Sequence, residues 1–288
     1  MRQRFFAKAQ NDTLSYAMKK YLQIIKGTWA EYMMYRLNFV MWRVRMVMQI
    51  LVVYFLWWAI FSQRQAMPAG RQEFFGYSQS MILTYILLSS LVRTLVLGTT
   101  TMDIGSVINQ GNLSNFLLRP LHFFHYYIAR DIGDKLLNFA FAVVEVTILY
   151  FLLRPPIFIQ TNGITLLLFL AAIIMGTILY FFFSLIFGFL GFWTPDVWAP
   201  RFLSFVIMEF FAGGLFPLDI LPKPIFFISQ LLPFSYFLYF PLKVYLGQLT
   251  MMTILEGFVI GIAWVAGLTM FASLLWQKGL KVYTAEGR

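Results

Sequence analysis

Long apolar runs separated by short polar breaks dominate the chain. Six runs reach or approach the roughly 20 residues a helix needs to cross a hydrocarbon layer of about 30 Å. They lie at about 39–61, 75–98, 136–153, 164–192, 200–221 and 252–276. Before the first run, Leu14, Met18, Tyr21, Leu22, Ile25, Trp29, Tyr32 and Met33 recur at helical spacing. Lys19, Lys20 and Lys26 fall between them, and Asn11 and Asp12 offer an N-cap. This pattern predicts a basic amphipathic helix, lying in the inner headgroup layer or packed on a partner domain. The apolar segment 222–250 is broken by Pro222, Pro224, Pro233 and Pro241. Proline removes a backbone donor and clashes with the preceding turn, and broken backbone at membrane depth survives only against protein or a water-lined cavity. Two short helices dipping in from the outer face are expected there.

Composition turns these runs into a membrane assignment. Hydrophobic residues make up 60% of the 288 residues and charged ones 12%, whereas a soluble domain is about 45–50% apolar and about 25% charged. The expectation is one all-α integral membrane domain: a cytoplasmic N-terminal part (1–38), six transmembrane helices within 39–276, and a cytoplasmic tail (277–288). The start is basic but has no apolar stretch within reach of a cleavable signal peptide.

Charge gives the orientation. Arg2, Arg4, Lys8, Lys19, Lys20, Lys26 and Arg36 precede the first run, and Lys278, Lys281 and Arg288 follow the last. The connections after the first and third runs carry only Arg64, Arg71 and Arg154. The positive-inside rule puts both termini in the cytoplasm of an inner, cytoplasmic membrane, with the 99–135 connection on the same side and 222–250 outside. Topology and anionic lipid account for the formal charge of +10, so no nucleic-acid partner is implied.

Enzyme chemistry finds little support. There is no cysteine, and His122 and His125 have too few carboxylates nearby for a metal site. No G-x-x-x-x-G-K-[ST] occurs, so the chain has no P-loop for ATP. Ionisable side chains inside the runs are few: Arg93 in the second, Glu145 in the third, Glu209 in the fifth, and Glu256 near the start of the sixth. Arg43 and Arg45, near the inner end of the first run, are placed to snorkel to headgroups. A charge near the bilayer centre is costly and faces a partner or a cavity. Arg93, Glu145 and Glu209 are therefore either positions on a translocation path or a coupling pair, or else structural pairs within the bundle.

The inner stretch INQGNLSNFLLRP, residues 108–120, has Ile104, Val107 and Ile108 on one helical face just before and within it. Leu113, Phe116 and Leu117 lie on another, and Gly111-Asn112 form a cap or hinge between them. Pro120 biases Arg119 out of the helical region and ends the segment. A short amphipathic helix facing a partner or the membrane surface is expected, or else an ordinary connector.

Two stretches, IGSVINQGNLSNFLLRPLHFFHYYIARDIGDK and GGLFPLDILPKPIFFISQLLPFSYFLYFPLKVYLG, resemble the membrane subunits of ABC type-2 exporters, nearest to the daunorubicin-resistance-like permeases. The G-x-L-x-x-x-L-L-R-P-L and L-P-F-x-Y-F-x-Y-F-P elements carry most of the likeness, which covers most of the chain. The resemblance implies two ABC ATPase subunits on separate chains, holding the ATP and magnesium, and a second permease, the same or different, with a heterodimer slightly favoured over a homodimer. It implies that the inner segment, through Asn112, Leu113, Phe116, Leu117 and Arg119, is a cytoplasmic coupling helix seated on the ATPase. It makes the N-terminal helix, through Lys19, Tyr21, Ile25 and Trp29, an interface helix. The region of Pro217, Pro222, Pro224 and Pro233 becomes the exit gate, formed by re-entrant helices. The expected activity is ATP-driven export of an amphipathic or lipid-like substrate. The alternatives are an ion-gradient-driven transporter or channel, built around Arg93, Glu145 and Glu209, or a membrane scaffold without transport.

Overall fold

The computed structural model describes residues 2–64, 73–118 and 122–284, with side chains for 18–63, 73–118 and 122–284. Among these residues are α1 (Arg2–Met34), α2 (Arg36–Arg64), α3 (Gln79–Leu97), α4 (Ile104–Asn109), α5 (Leu113–Leu117) and α6 (Phe123–Leu153). There follow α7 (Gly163–Phe189), α8 (Trp198–Phe211), α9 (Lys223–Leu231), α10 (Tyr239–Tyr245) and α11 (Met251–Val282). The described secondary structure is helical apart from one two-residue bridge, Phe74 with Tyr77.

Three of the long helices, α3, α7 and α11, start where a side chain takes their orphan amides. Ser78 accepts from the Met81 amide, Asn162 from Ile164 and Thr165, and Thr250 from Thr253. α6 stops at Arg154 (φ +45°), ahead of Pro155-Pro156. It begins at Phe123, well ahead of the expected 136, so the helix runs into what reads as a loop. There Asp131, Asp134 and Lys135 dilute the hydropathy without breaking the helix.

Among the described residues, five helices are long and apolar enough to cross a membrane: α2, α3, α6, α7 and α11. Half of the apolar window of α3 is buried within the protein, against 11% for α6 and for α11. α3 and α7 therefore form the centre, and α6 and α11 present most of their apolar surface outward. α1, α4, α5 and the last turns of α7 and α11 meet at one end, the terminal face. The opposite, distal end holds the turn bridged by Phe74 and Tyr77, α9 and α10.

The fifth expected span differs. Instead of one helix over 200–221, α8 has 14 residues, about 21 Å at 1.5 Å per residue. The apolar run hides a break at Gly213, whose φ of +77° favours glycine. The chain then proceeds as irregular backbone to a 3₁₀ turn at Leu218–Ile220. Three of its carbonyls are taken up by the bundle. The Tyr85 hydroxyl donates to Gly213 O at 2.6 Å, Trp57 Nε1 to Leu215 O at 3.2 Å, and the Tyr239 amide to Ala212 O at 2.9 Å. Non-helical backbone in an apolar setting needs such internal partners.

Candidate functional site

The terminal face is built on close backbone contact. A Cβ on Gly191 would stand 2.8 Å from the Gly105 carbonyl oxygen, so α4 lies directly against the end of α7. Thr101 donates to Ser184 at 2.7 Å just below. Ile104, Ile108 and Leu113 are buried with Phe123, Tyr127, Phe189 and Phe192. α4 ends in a glycine cap: Gly111 has φ +73°, its amide bonds to Ile108 O, and the Asn112 amide reaches Val107 O.

The structure redistributes the expected partner-facing residues here. Leu113 is completely buried and anchors α5 from beneath. Phe116 is half-buried among Phe123, Tyr126 and Tyr127. Asn112 and Leu117 remain exposed, joined by Asn115 and by Leu118, which is 85% exposed and was not singled out from the sequence. Arg119 lies outside the described residues. Tyr283 was also missed: from beyond α11 its hydroxyl donates to Gly111 O and accepts the Ser114 amide.

α1 packs along the first turns of α6 in the same chain. Tyr21 meets the His125 ring, and Ile25 lies against Gly133. Trp29 Nε1 donates to Gly133 O at 2.7 Å. Tyr32 donates a short hydrogen bond to Asp134, and Glu31 pairs with Arg130 at 2.6 Å. Burial, then the Asp134 charge, pushes the Tyr32 hydroxyl above its usual range, so it stays a donor. Tyr21, Ile25 and Trp29 thus serve an internal contact, while Lys19, with Lys26, is exposed.

Arg93, Glu145 and Glu209 are each paired. Arg93 grips Glu209 through two bonds, at 2.7 and 2.8 Å, and Gln49 adds a third at 3.3 Å. Glu145 is gripped by Arg43, with Nε donating at 2.6 Å. Arg43 therefore does not snorkel; it is buried between α2 and α6. Arg45 is exposed, its guanidinium 4.1 Å over the Trp42 ring. Glu256 is exposed on α11. Between these pairs and α1 lies a cavity of about 490 Å³, bounded by α1, α2, α3, α6, α7 and α8 and lined by Tyr32, Phe39, Trp42, Arg45, Tyr180 and Phe205 among others.

At the distal end, Pro217 and Pro233 are buried, the latter opening a 3₁₀ turn, while Pro222 and Pro224 are exposed at the start of α9. α9 and α10 are two short helices on either side of the turn that Pro233 opens. A charged knot beside them has no local signature in the chain. Buried Lys243 on α10 donates to Asp219, Tyr77 and Gln248 at 2.8, 2.8 and 2.6 Å, and Tyr77 also donates to Asp219.

A family description, ABC-2 family transporter protein, matches residues 22–287. The chain belongs to the ABC-2 transporter family. No curated protein and no solved structure matches it. Family membership and the apolar helices make it a multi-pass membrane protein, the permease component of an ABC transporter and not itself a catalyst.

Proposed function

We propose that this ABC-2 permease exports an amphipathic or lipid-like substrate, driven by two ATPase subunits that hold the ATP and magnesium and bind at the α4–α5 hairpin. A second permease, different in sequence, completes the path. Both termini lie in the cytoplasm and the chain crosses the inner membrane six times, with the fifth crossing made of α8 and the broken segment to Ile220. The charge distribution and the passage of this segment from the level of α4 to the level of Tyr77 support that count.

One observation carries the coupling assignment. An exposed apolar tip, Leu117 (49% exposed) and Leu118, stands on a base welded backbone to backbone onto α7. A connector has no need of both, because a bare leucine tip in water is unfavourable and a rigid base transmits displacement. Force applied at the tip would move α7, whose Tyr180 lines the cavity. The paired Arg43–Glu145 and Arg93–Glu209 act as clasps holding the walls of that cavity, and the segment from Pro217 to Pro233 closes its exit.

The test replaces both Leu117 and Leu118 by Asp. Membrane abundance stays at the wild-type level, while ATPase co-purification and ATP-dependent export are lost. Export at the wild-type rate by this variant would remove the hairpin from coupling. Leu113→Asp is a poor probe, since a buried carboxylate there unfolds the local core.

A further inference from the structure

The 490 Å³ cavity is of the size that small-molecule sites occupy, about 300–1,000 Å³. Six aromatic side chains, Tyr32, Tyr35, Phe39, Trp42, Tyr180 and Phe205, stand in its walls, and five carboxylate or guanidinium groups line it: Glu31, Arg43, Arg45, Arg93 and Asp134. Four of them are answered within the protein. Arg43 has Glu145, Arg93 has Glu209 and Glu31 has Arg130. Asp134 accepts from Tyr32 and from Asn138 at 2.9 Å. Arg45 alone has no carboxylate partner among the described residues; its guanidinium rests on the Trp42 face, which leaves its N–H edge open to a ligand.

We propose that this cavity binds an amphiphile with an anionic head, phosphate or carboxylate, held at Arg45 with Trp42 as its platform, while the aromatic walls take the apolar body. A planar guanidinium offers two parallel donors to such a head. A neutral amphiphile forgoes that contact, and a cationic one meets Arg45 as a like charge. This inference rests on the amphiphile reading above and names the headgroup class. A merely snorkelling Arg45 gives lipid contact of no fixed stoichiometry, whereas a site saturates.

Binding is read on the permease alone, in phosphatidylcholine nanodiscs, with radiolabelled tetradecyl phosphate. The expected result is saturation at one probe per chain, with affinity at least about tenfold above that of tetradecanol, as a charge-assisted contact allows. Arg45→Gln removes the preference for the phosphate and leaves tetradecanol binding unchanged; Arg45→Lys retains part of it. Phe205→Ala weakens both probes together. Equal affinity of the Arg45→Gln and wild-type chains for the phosphate would overturn the proposal, as would non-saturating uptake. Displacement of the probe by inorganic phosphate alone at comparable concentration would overturn the amphiphile and leave a free-phosphate site. The transport reading is judged separately: if ATP-driven export proceeds while the probe fails to bind, only the headgroup assignment falls. If the probe binds as expected but no ATPase partners with the chain, the site stands and the transport reading falls.

Discussion

The Tyr283 hydroxyl donates to the Gly111 carbonyl at 2.6 Å and accepts the Ser114 amide at 3.1 Å, so one side chain from beyond α11 straps the turn between α4 and α5. The turn's other bonds are local, from the Gly111 and Asn112 amides to Ile108 O and Val107 O and from the Ser114 hydroxyl to Gly111 O, and α5 has five residues and no side-chain cap. Tyr283→Phe removes both bonds, together worth about 1–2 kcal/mol of local stability. The expected outcome is hydrogen exchange at the Ser114 amide faster by about tenfold, with α7 amides unchanged and less export per ATP hydrolysed. Unchanged exchange at Ser114 would mean that the strap carries no load.

The sequence reached some elements and not others for identifiable reasons. The five long helices were legible because twenty apolar residues in a row have few other uses. α8 was overextended because Gly213-Gly214 sits inside an unbroken apolar run, and hydropathy does not register a glycine at positive φ. The start of α6 was missed for the opposite reason. Phe123, Tyr127, Asp131 and Asp134 share one helical face and are all buried, but the acids lower the hydropathy; their spacing was the available signal. Asp131 is buried because the Thr100 amide and hydroxyl bind it at 2.7 and 2.8 Å, a match no local pattern announces. The charge pairs likewise join positions 102 and 116 residues apart. The charges could be singled out from sequence, but not which cation answers which acid, and so Arg43 read as a headgroup anchor.

Arg93 and Glu209 hold the short α8 against α3. Removing one member of a buried pair strands the other charge, typically at about 3–5 kcal/mol, whereas replacing both by apolar residues is often neutral or better. Arg93→Met therefore lowers the thermal midpoint in detergent sharply, and Arg93→Met with Glu209→Leu restores it. If the pair is a clasp, the double variant also retains export. A double variant that is stable but inert in export would put the pair on the substrate path instead.

The contact of α7 with the 3₁₀ turn Thr101–Asp103 that leads into α4 can be tested covalently, because the chain has no cysteine of its own. The hydroxyls of Thr101 and Ser184 lie 2.7 Å apart and buried, near enough for a disulfide of about 2.05 Å after small adjustment. Thr101→Cys with Ser184→Cys is expected to cross-link on oxidation while keeping export, since the two elements move as one body. Complete, reversible loss of export on oxidation would show that this turn slides on α7 during the cycle.

The composite fifth crossing makes the sharpest topological prediction. If α8 and the broken segment to Ile220 traverse the membrane together, Lys223 and Asn115 lie on opposite sides. If α8 only dips in and returns, they share a side. Lys223 and Asn115 are both exposed, and neither makes an ion pair among the described residues, so a single cysteine at either is tolerated. In intact cells an impermeant maleimide is expected to label Lys223→Cys at once, and Asn115→Cys only after permeabilisation. Labelling of both only after permeabilisation would reduce the crossings between α7 and α11 to none. It would then leave unexplained how α11 starts distally beside Phe240 and ends at the terminal face with Tyr283 on Gly111.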